Sequence, residues 1–275
     1  MLKSIEIERF RGIREGRVED LAPVTIFVGP NGSGKSTLLE AIFCGAAPRS
    51  STNRFFAWSS SDKFKQKNGG LLTIRHNETS FPSEEVFYGK RPELGASIGL
   101  VLEPSERLTL VIDENQTRWE SEVSPDAEVF FSRAKLLDFN VLFDAHTEDL
   151  LWDEILNRRW DRDLKEVMNR VYGLDIESFS YTRRGRGLKV LFGDRDFALR
   201  LDDLAGGMRL AFRAFAATLL ARDSAVLIEE FDGYQHVEAM PRFAEAILEL
   251  AGRSGAQLFL ATHSLESVKA FVSVE

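Results

Sequence analysis

One stretch constrains this chain more than any other: Gly29-Pro30-Asn31-Gly32-Ser33-Gly34-Lys35-Ser36-Thr37. It fits G-x-x-x-x-G-K-[ST], a pattern whose chemistry dictates a local shape. The glycines let the backbone curl closely around an anion, with N–H groups pointing inward. A lysine placed like Lys35 reaches terminal phosphates, and a hydroxyl placed like that of Ser36 can hold a divalent cation. Residues 31–37, that is Asn31, Gly32, Ser33, Gly34, Lys35, Ser36 and Thr37, are therefore the candidate phosphate cradle. Before the loop runs Val24-Thr25-Ile26-Phe27-Val28, short, apolar and β-branched, which predicts a buried strand. After it runs Thr37-Leu38-Leu39-Glu40-Ala41-Ile42-Phe43, free of Gly and Pro, which predicts a helix. A helix N-terminus at this point adds its partial positive charge to the phosphate site.

The remaining bulk properties narrow the class. With 275 residues the chain forms one large domain or two small ones, and 44% hydrophobic residues support a substantial core. A net charge of −8 gives no global basic field for nucleic acid. The single cysteine, Cys44, excludes an internal disulfide framework and a multi-cysteine zinc site. No apolar run has the length of a membrane-spanning helix. The opening Met1-Leu2-Lys3-Ser4-Ile5-Glu6-Ile7-Glu8 alternates charged and apolar residues, unlike a secretory leader. A cytoplasmic protein is the expectation.

Hydrophobic period divides the chain. Residues 2–29 read as three strands. Residues 48–70 are Ser-rich and read as a long loop. Alternating stretches at 71–75, 96–102, 108–112, 117–123 and 128–131 predict an antiparallel sheet. Between 147 and 172 the period becomes helical, with Leu151, Ile155, Leu164, Val167, Met168 and Val171 on one face and a break near Trp160. Short strands follow at 179–182 and 188–192, joined by a glycine-containing basic turn. A helix after Gly207, a buried strand at 225–228, a helix at 237–251 and a strand at 257–261 read as an α/β half with a mainly parallel sheet.

Two of those strands end in chemistry. Ala225-Val226-Leu227-Ile228 runs into Glu229 and Glu230. Open α/β sheets bind ligands at such carboxyl ends. The first carboxylate can hold Mg²⁺ and the second can act as a general base. Leu258-Phe259-Leu260-Ala261 runs into Thr262-His263-Ser264. There His263 can donate to a phosphate or position a water, or the turn can simply cap the next helix. Leu204-Ala205-Gly206-Gly207-Met208 precedes another helix, so the amides of Gly206 and Gly207 form a second potential anion site.

In this order along the chain, the four motifs resemble those of the ABC-type ATPases. The spacing of 171 residues from Lys35 to Gly206 and the opening Phe10-Arg11-Gly12 are similar to the SMC, RecF and OLD-like branch. The resemblance implies an α/β P-loop NTPase fold: an ABC-type head with an N-terminal antiparallel part, a mainly parallel core and a helical lobe. It implies one domain over 1–275, with lobe I at about 1–135 plus 220–275 and a helical signature lobe at about 136–219. It further implies ATP and Mg²⁺ as ligands, Lys35, Glu230 and His263 in catalysis, and Ser36 with Glu229 at the metal. Arg11 would contact nucleotide, and Gly206 and Gly207 would act across an ATP-dependent homodimer. Ala205 and Met208 replace the usual Ser and Gln of the signature, Glu229 stands where Asp is common, and Phe231 where Pro is usual. The glutamine that usually completes the metal shell has no assigned counterpart, Gln116 being the nearest in sequence.

Between Arg158 and Lys189 nine Lys/Arg face five Asp/Glu. Arg183, Arg184, Arg186 and Lys189 beside Tyr181 make a candidate DNA-phosphate surface, or else a solvated or protein-binding face. The chain shows no coiled-coil heptads, and it ends 12 residues past His263. The expectation is an isolated head, either a minimal ATPase or one paired with a separate nuclease or effector chain. A nucleotide-gated binding module with little hydrolysis is the alternative reading, ahead of a transporter ATPase subunit.

Overall fold

A computed structural model of the chain describes residues 1–44, 86–104, 106–113, 117–120, 122–137, 152, 154–181, 187–233 and 235–274. The expected loop at 48–70, the expected strand at 71–75, Leu151, Gln116 and the basic residues Arg183, Arg184 and Arg186 lie outside them.

Three sheets organise the chain. The first is antiparallel, in the order β2 (Ile13–Val18), β1 (Leu2–Phe10), β4 (Ala96–Leu102), β5 (Glu106–Ile112), β6 (Thr117–Trp119). The second is parallel, in the order β3 (Val24–Val28), β12 (Gln257–Thr262), β11 (Ala225–Glu229), β7 (Lys135–Leu137). The third is a small antiparallel sheet of β8 (Ile176–Tyr181), β9 (Leu188–Phe192) and β10 (Leu199–Arg200). The longer helices among the described residues are α1 (Lys35–Cys44), α2 (Pro125–Arg133), α3 (Asp161–Tyr172), α4 (Gly206–Leu220), α5 (Met240–Ser254) and α6 (Leu265–Val272).

The period-two geometry of a strand splits the parallel sheet between two cores. Ala225, Leu227, Phe259 and Ala261 face one side, joining α1, α2 and the antiparallel sheet. Val226, Ile228, Leu258 and Leu260 face the other, joining α3, α4, α5 and the small sheet. Both faces are covered, which is why β11 and β12 read as continuous apolar runs. Gln257 fastens the two sheets together. Its buried side-chain amide donates to the carbonyls of Leu2 (2.8 Å) and Ala22 (3.0 Å) and accepts the Leu2 N–H at 2.8 Å.

Most expected elements are present, with two differences. Residues 128–131 lie in α2 and not in a strand. Ser124 caps that helix by accepting the Ala127 N–H, Pro125 starts it, and Asp126 and Glu128 occupy its first turn. Those start signals outweigh a four-residue alternation. Val24–Val28 is mostly half-buried, because β3 lies at the edge of the described parallel sheet. The helical face expected at 147–172 holds where it is described: Ile155, Leu164, Val167, Met168 and Val171 are buried, and Trp160 stands at the N-cap of α3. Cys44 is buried with a free thiol, its pKa pushed up by burial.

Candidate functional site: a phosphate-loop cleft

Parallel pairing sets the site. Val28 of β3 is in register with Thr262 of β12, and Ala261 of β12 with Glu229 of β11. The phosphate loop, the Thr-His-Ser turn and the acidic pair therefore leave the sheet at the same edge, its carboxyl end.

A cleft of about 360 Å³ opens there, lined by residues 31–37 together with Gly12, Ile13, Glu229, Glu230 and Ala261. Gly32 and Gly34 take φ of 81° and 94°, a backbone region that L side chains rarely adopt. The loop is thereby curled as the pattern requires. Lys35 begins α1 and folds back over the loop, its Nζ donating to the carbonyls of Gly29 (2.8 Å) and Pro30 (3.0 Å). The first-turn amides of α1 have no acceptor inside the helix, so the cleft presents free N–H donors, an ammonium and three hydroxyls beside two carboxylates. Hydroxyl and carboxylate oxygens are hard donors that suit Mg²⁺. Among the described residues no group of three or more His, Cys, Asp or Glu gathers to hold a metal. A cation in this cleft would need phosphate and water oxygens besides Ser36 and Glu229, the manner in which Mg²⁺ is ordinarily bound beside phosphates.

Glu230 carries a positive φ of 47° directly after β11. Strain of this kind in a non-glycine residue costs on the order of 1–3 kcal/mol and concentrates at functional sites.

The other expected residues lie outside the cleft lining. Arg11, itself at φ 51°, turns away and pairs with Glu40, a buried carboxylate of α1. Its neighbours Gly12 and Ile13 line the cleft in its place. His263 is exposed beyond the end of β12, and its turn does cap a helix: Ser264 accepts the Ser267 N–H at 3.2 Å while donating its own N–H to Thr262 Oγ1 at 2.9 Å. Gly206 and Gly207 start α4, whose N-cap Ala205 offers no side-chain acceptor. The Ala205 carbonyl is taken by the amides of Met208 and Arg209. Lys189 sits on β9, and pairing of Tyr181 with Leu188 brings β8 and β9 together as the expected hairpin. Part of the basic stretch is neutralised, Arg158 by Glu154 and Arg170 by Glu249.

Two polar residues near the signature escaped the sequence reading. The Gln235 side chain donates to the Gly207 carbonyl, and the Tyr172 hydroxyl lies 3.0 Å from that same oxygen. Neither belongs to a recognisable spacing, and only the packing of α3, α4 and the loop after β11 brings them together.

Comparison with solved structures returns SMC heads over almost the whole chain. The SMC head domain from Thermotoga maritima aligns with 98% of this chain and 91% of its own, at 18% identity and a TM-score of 0.51. An SmcHead bound to the C-winged helix domain of ScpA aligns over the same shares at 12% identity and a TM-score of 0.61. An Smc head with an extended coiled coil, bound to the C-terminal domain of ScpA derived from Pyrococcus furiosus, gives 12% and 0.57. At such identities the likeness is one of fold. In sequence, the uncharacterized protein MJECL10 of Methanocaldococcus jannaschii is 45% identical over 42 residues, 15% of this chain and 19% of that relative. The profile of a family described as AAA domain, putative AbiEii toxin, Type IV TA system matches residues 24–269, from the strand before the phosphate loop into the helix after His263. The chain belongs to that AAA-type, P-loop ATPase family and has the fold of an SMC head.

Proposed function

We propose that this protein is an ATP-binding and ATP-hydrolysing head that dimerises around ATP and acts in a cytoplasmic, DNA-linked process such as repair, chromosome maintenance or anti-phage defence. One observation carries the reading. Residues 31–37 share a single cleft with Glu229 and Glu230, almost 200 positions further along the chain.

The roles follow from chemistry and placement. Lys35 would exchange the Gly29 and Pro30 carbonyls for phosphate oxygens, while the first-turn amides of α1 hold the rest of the triphosphate. Ser36 and Glu229 would hold Mg²⁺, which neutralises phosphate charge when bound. Glu230 would accept the proton of the attacking water, its carboxylate held at the cleft by the left-handed turn. His263, exposed at the neighbouring strand end, would reach the terminal phosphate from the rim.

A second copy is the natural completion. Gly206, half-buried, and Gly207, buried, stand at the start of α4 outside the cleft of their own chain, and their amides would meet another molecule's phosphate. Val237 and Leu265, each 67% exposed, follow the ends of β11 and β12 and add apolar surface on these two turns. The hairpin residues Arg183, Arg184, Arg186 and Lys189 would meet DNA phosphate. A separate nuclease or effector chain would be the output partner. Two of the similar SMC heads were solved with a partner protein's domain bound.

The deciding experiment is Glu230→Gln in analytical ultracentrifugation with and without Mg-ATP. Expected is an ATP-dependent dimer and loss of hydrolysis. A variant that hydrolyses ATP at the wild-type rate would remove Glu230 from the role of base. Retention on DNA that weakens with salt, and is lost in an Arg183/Arg184/Arg186 triple alanine, would test the hairpin.

A further inference from the structure

The loop that follows Glu230 is tied on both sides. Asp232 Oδ2 accepts the Ser267 hydroxyl of α6 at 3.1 Å. Three residues on, the Gln235 N–H donates to the Asp232 carbonyl at 3.1 Å, and the Gln235 side chain crosses to the start of α4. There its Nε2 donates to the Gly207 carbonyl at 2.7 Å, and its Oε1 lies 2.8 Å from the Tyr172 hydroxyl. Tyr172 is the last residue of α3, and its hydroxyl is also 3.0 Å from the Gly207 carbonyl.

Proton counting fixes the direction of these bonds. The hydroxyl has one proton and two acceptors within reach, while the amide has donors on one end only. Reversing the amide would set two oxygens 2.7 Å apart at Gly207. The consistent arrangement is Tyr172 donating to Gln235 Oε1 and Gln235 donating to Gly207. Burial raises the Tyr172 pKa above its ordinary value, so the hydroxyl keeps its proton. Three elements thus meet on one carbonyl: the end of α3, the first turn of α4 and the loop that carries Glu230.

We propose that Gln235, backed by Tyr172, is a positioning residue that fixes the Gly206–Gly207 turn relative to the Glu230 loop, so that each chain presents its α4 amides in the orientation a second copy's ATP requires. The inference rests on the ATP-bound dimer proposed above. Ala205 supplies no side-chain cap to this helix start. Its geometry therefore depends on the carbonyl side, where Gln235 acts.

The test places Gln235→Ala, Gln235→Glu and Tyr172→Phe in the Glu230→Gln background. Three quantities are read: the ATP-dependent dimer constant by sedimentation, the affinity of dilute monomer for a fluorescent ATP analogue, and amide hydrogen exchange at 206–209. Gln235→Ala should weaken the dimer about tenfold, the worth of one charge-free buried hydrogen bond, and leave monomer affinity for the analogue unchanged. Tyr172→Phe should act in the same direction to a lesser extent. Gln235→Glu should be worse than alanine at neutral pH, where a carboxylate faces a carbonyl. It should recover relative to alanine as pH falls, because a protonated carboxyl regains the donor. A dimer constant equal to that of the parent overturns the proposal. Should the parent itself fail to dimerise with ATP, the dimer reading is what fails. Exchange at 206–209 then decides the positioning role: faster exchange in Gln235→Ala upholds it and unchanged exchange overturns it.

Discussion

The carbonyl of Glu230 accepts the Gly233 N–H at 2.8 Å, closing a tight turn on a residue whose φ is 47°. A Cβ at position 233 would stand 3.0 Å from that same carbonyl oxygen, so Glu230 would have to move by a few tenths of an ångström. Gly233→Ala is expected to lower kcat several-fold with little change in KM, since displacing a reacting group by about 1 Å can cost on the order of 100-fold. Steady-state ATPase kinetics beside a thermal melt separate this from unfolding.

Gly34 is constrained by its backbone rather than by space. Its φ is 94°, and a Cβ there would meet only Ile13, at an ordinary 3.6 Å. Gly34→Ala forces either strain of about 1–2 kcal/mol or an opened loop. The expected result is roughly tenfold weaker ATP binding at a Tm within a few degrees of wild type, measured by calorimetry and melting.

Arg11 neutralises Glu40, a carboxylate only 2% exposed. Removing one partner of a buried pair typically costs about 3–5 kcal/mol. Arg11→Ala should therefore lower the denaturant midpoint in the absence of any nucleotide. A normal midpoint with weakened ATP binding would instead place Arg11 on the nucleotide.

Gln257 is 1% exposed and bonds to Leu2 twice and Ala22 once. Gln257→Leu keeps comparable bulk but leaves those backbone groups without their partner, at about 1–3 kcal/mol for each buried group left unsatisfied. Chemical denaturation should show a loss of at least that size, and hydrogen exchange should rise first at β1 and β12.

Lys135 opens β7 and is buried, which pushes its ammonium down to about 8, opposed by Glu154 and assisted by Arg158 and Arg133. An unfolded lysine titrates at its ordinary 10.5. Between these values the unfolded chain binds a proton that the folded chain lacks, so this group makes stability rise with pH from about 8 to 10.5. Below about 8 its burial cost is fully present. Across the whole window the contribution is at most about 3 kcal/mol. Lys135→Met should be stabilised relative to wild type at pH 7, and the difference should shrink as pH is raised through 8 to 10. Paired melts across that range check it.

Local chemistry made much of the site readable in advance. Glycines at 32 and 34, a lysine at 35 and a helix-forming run after them specify a phosphate loop through backbone sterics and charge alone. An apolar run that stops at Glu229-Glu230, or at Thr262-His263-Ser264, marks a strand end because desolvated apolar residues give way abruptly to groups that need water or a ligand. Residues 128–131 mislead for the same reason: four residues are too short a sample of the period, and the helix start at Ser124-Pro125 carries the stronger physics.

The amino-acid sequence by itself thus determined the P-loop, its flanking strand and helix, the acidic strand end and the family order of the motifs. These depend on residues within one element, where propensity, period and charge act over a few positions. Tertiary structure alone decided that Val28, Glu229 and Thr262 leave the sheet at one edge, that Val24–Val28 is an edge strand, that Arg11 turns to Glu40, and that Gln235 and Tyr172 converge on Gly207. Each of those depends on strand order and helix packing across dozens to hundreds of residues. A carbonyl at the start of a helix carries no sequence mark of the side chain that will reach it.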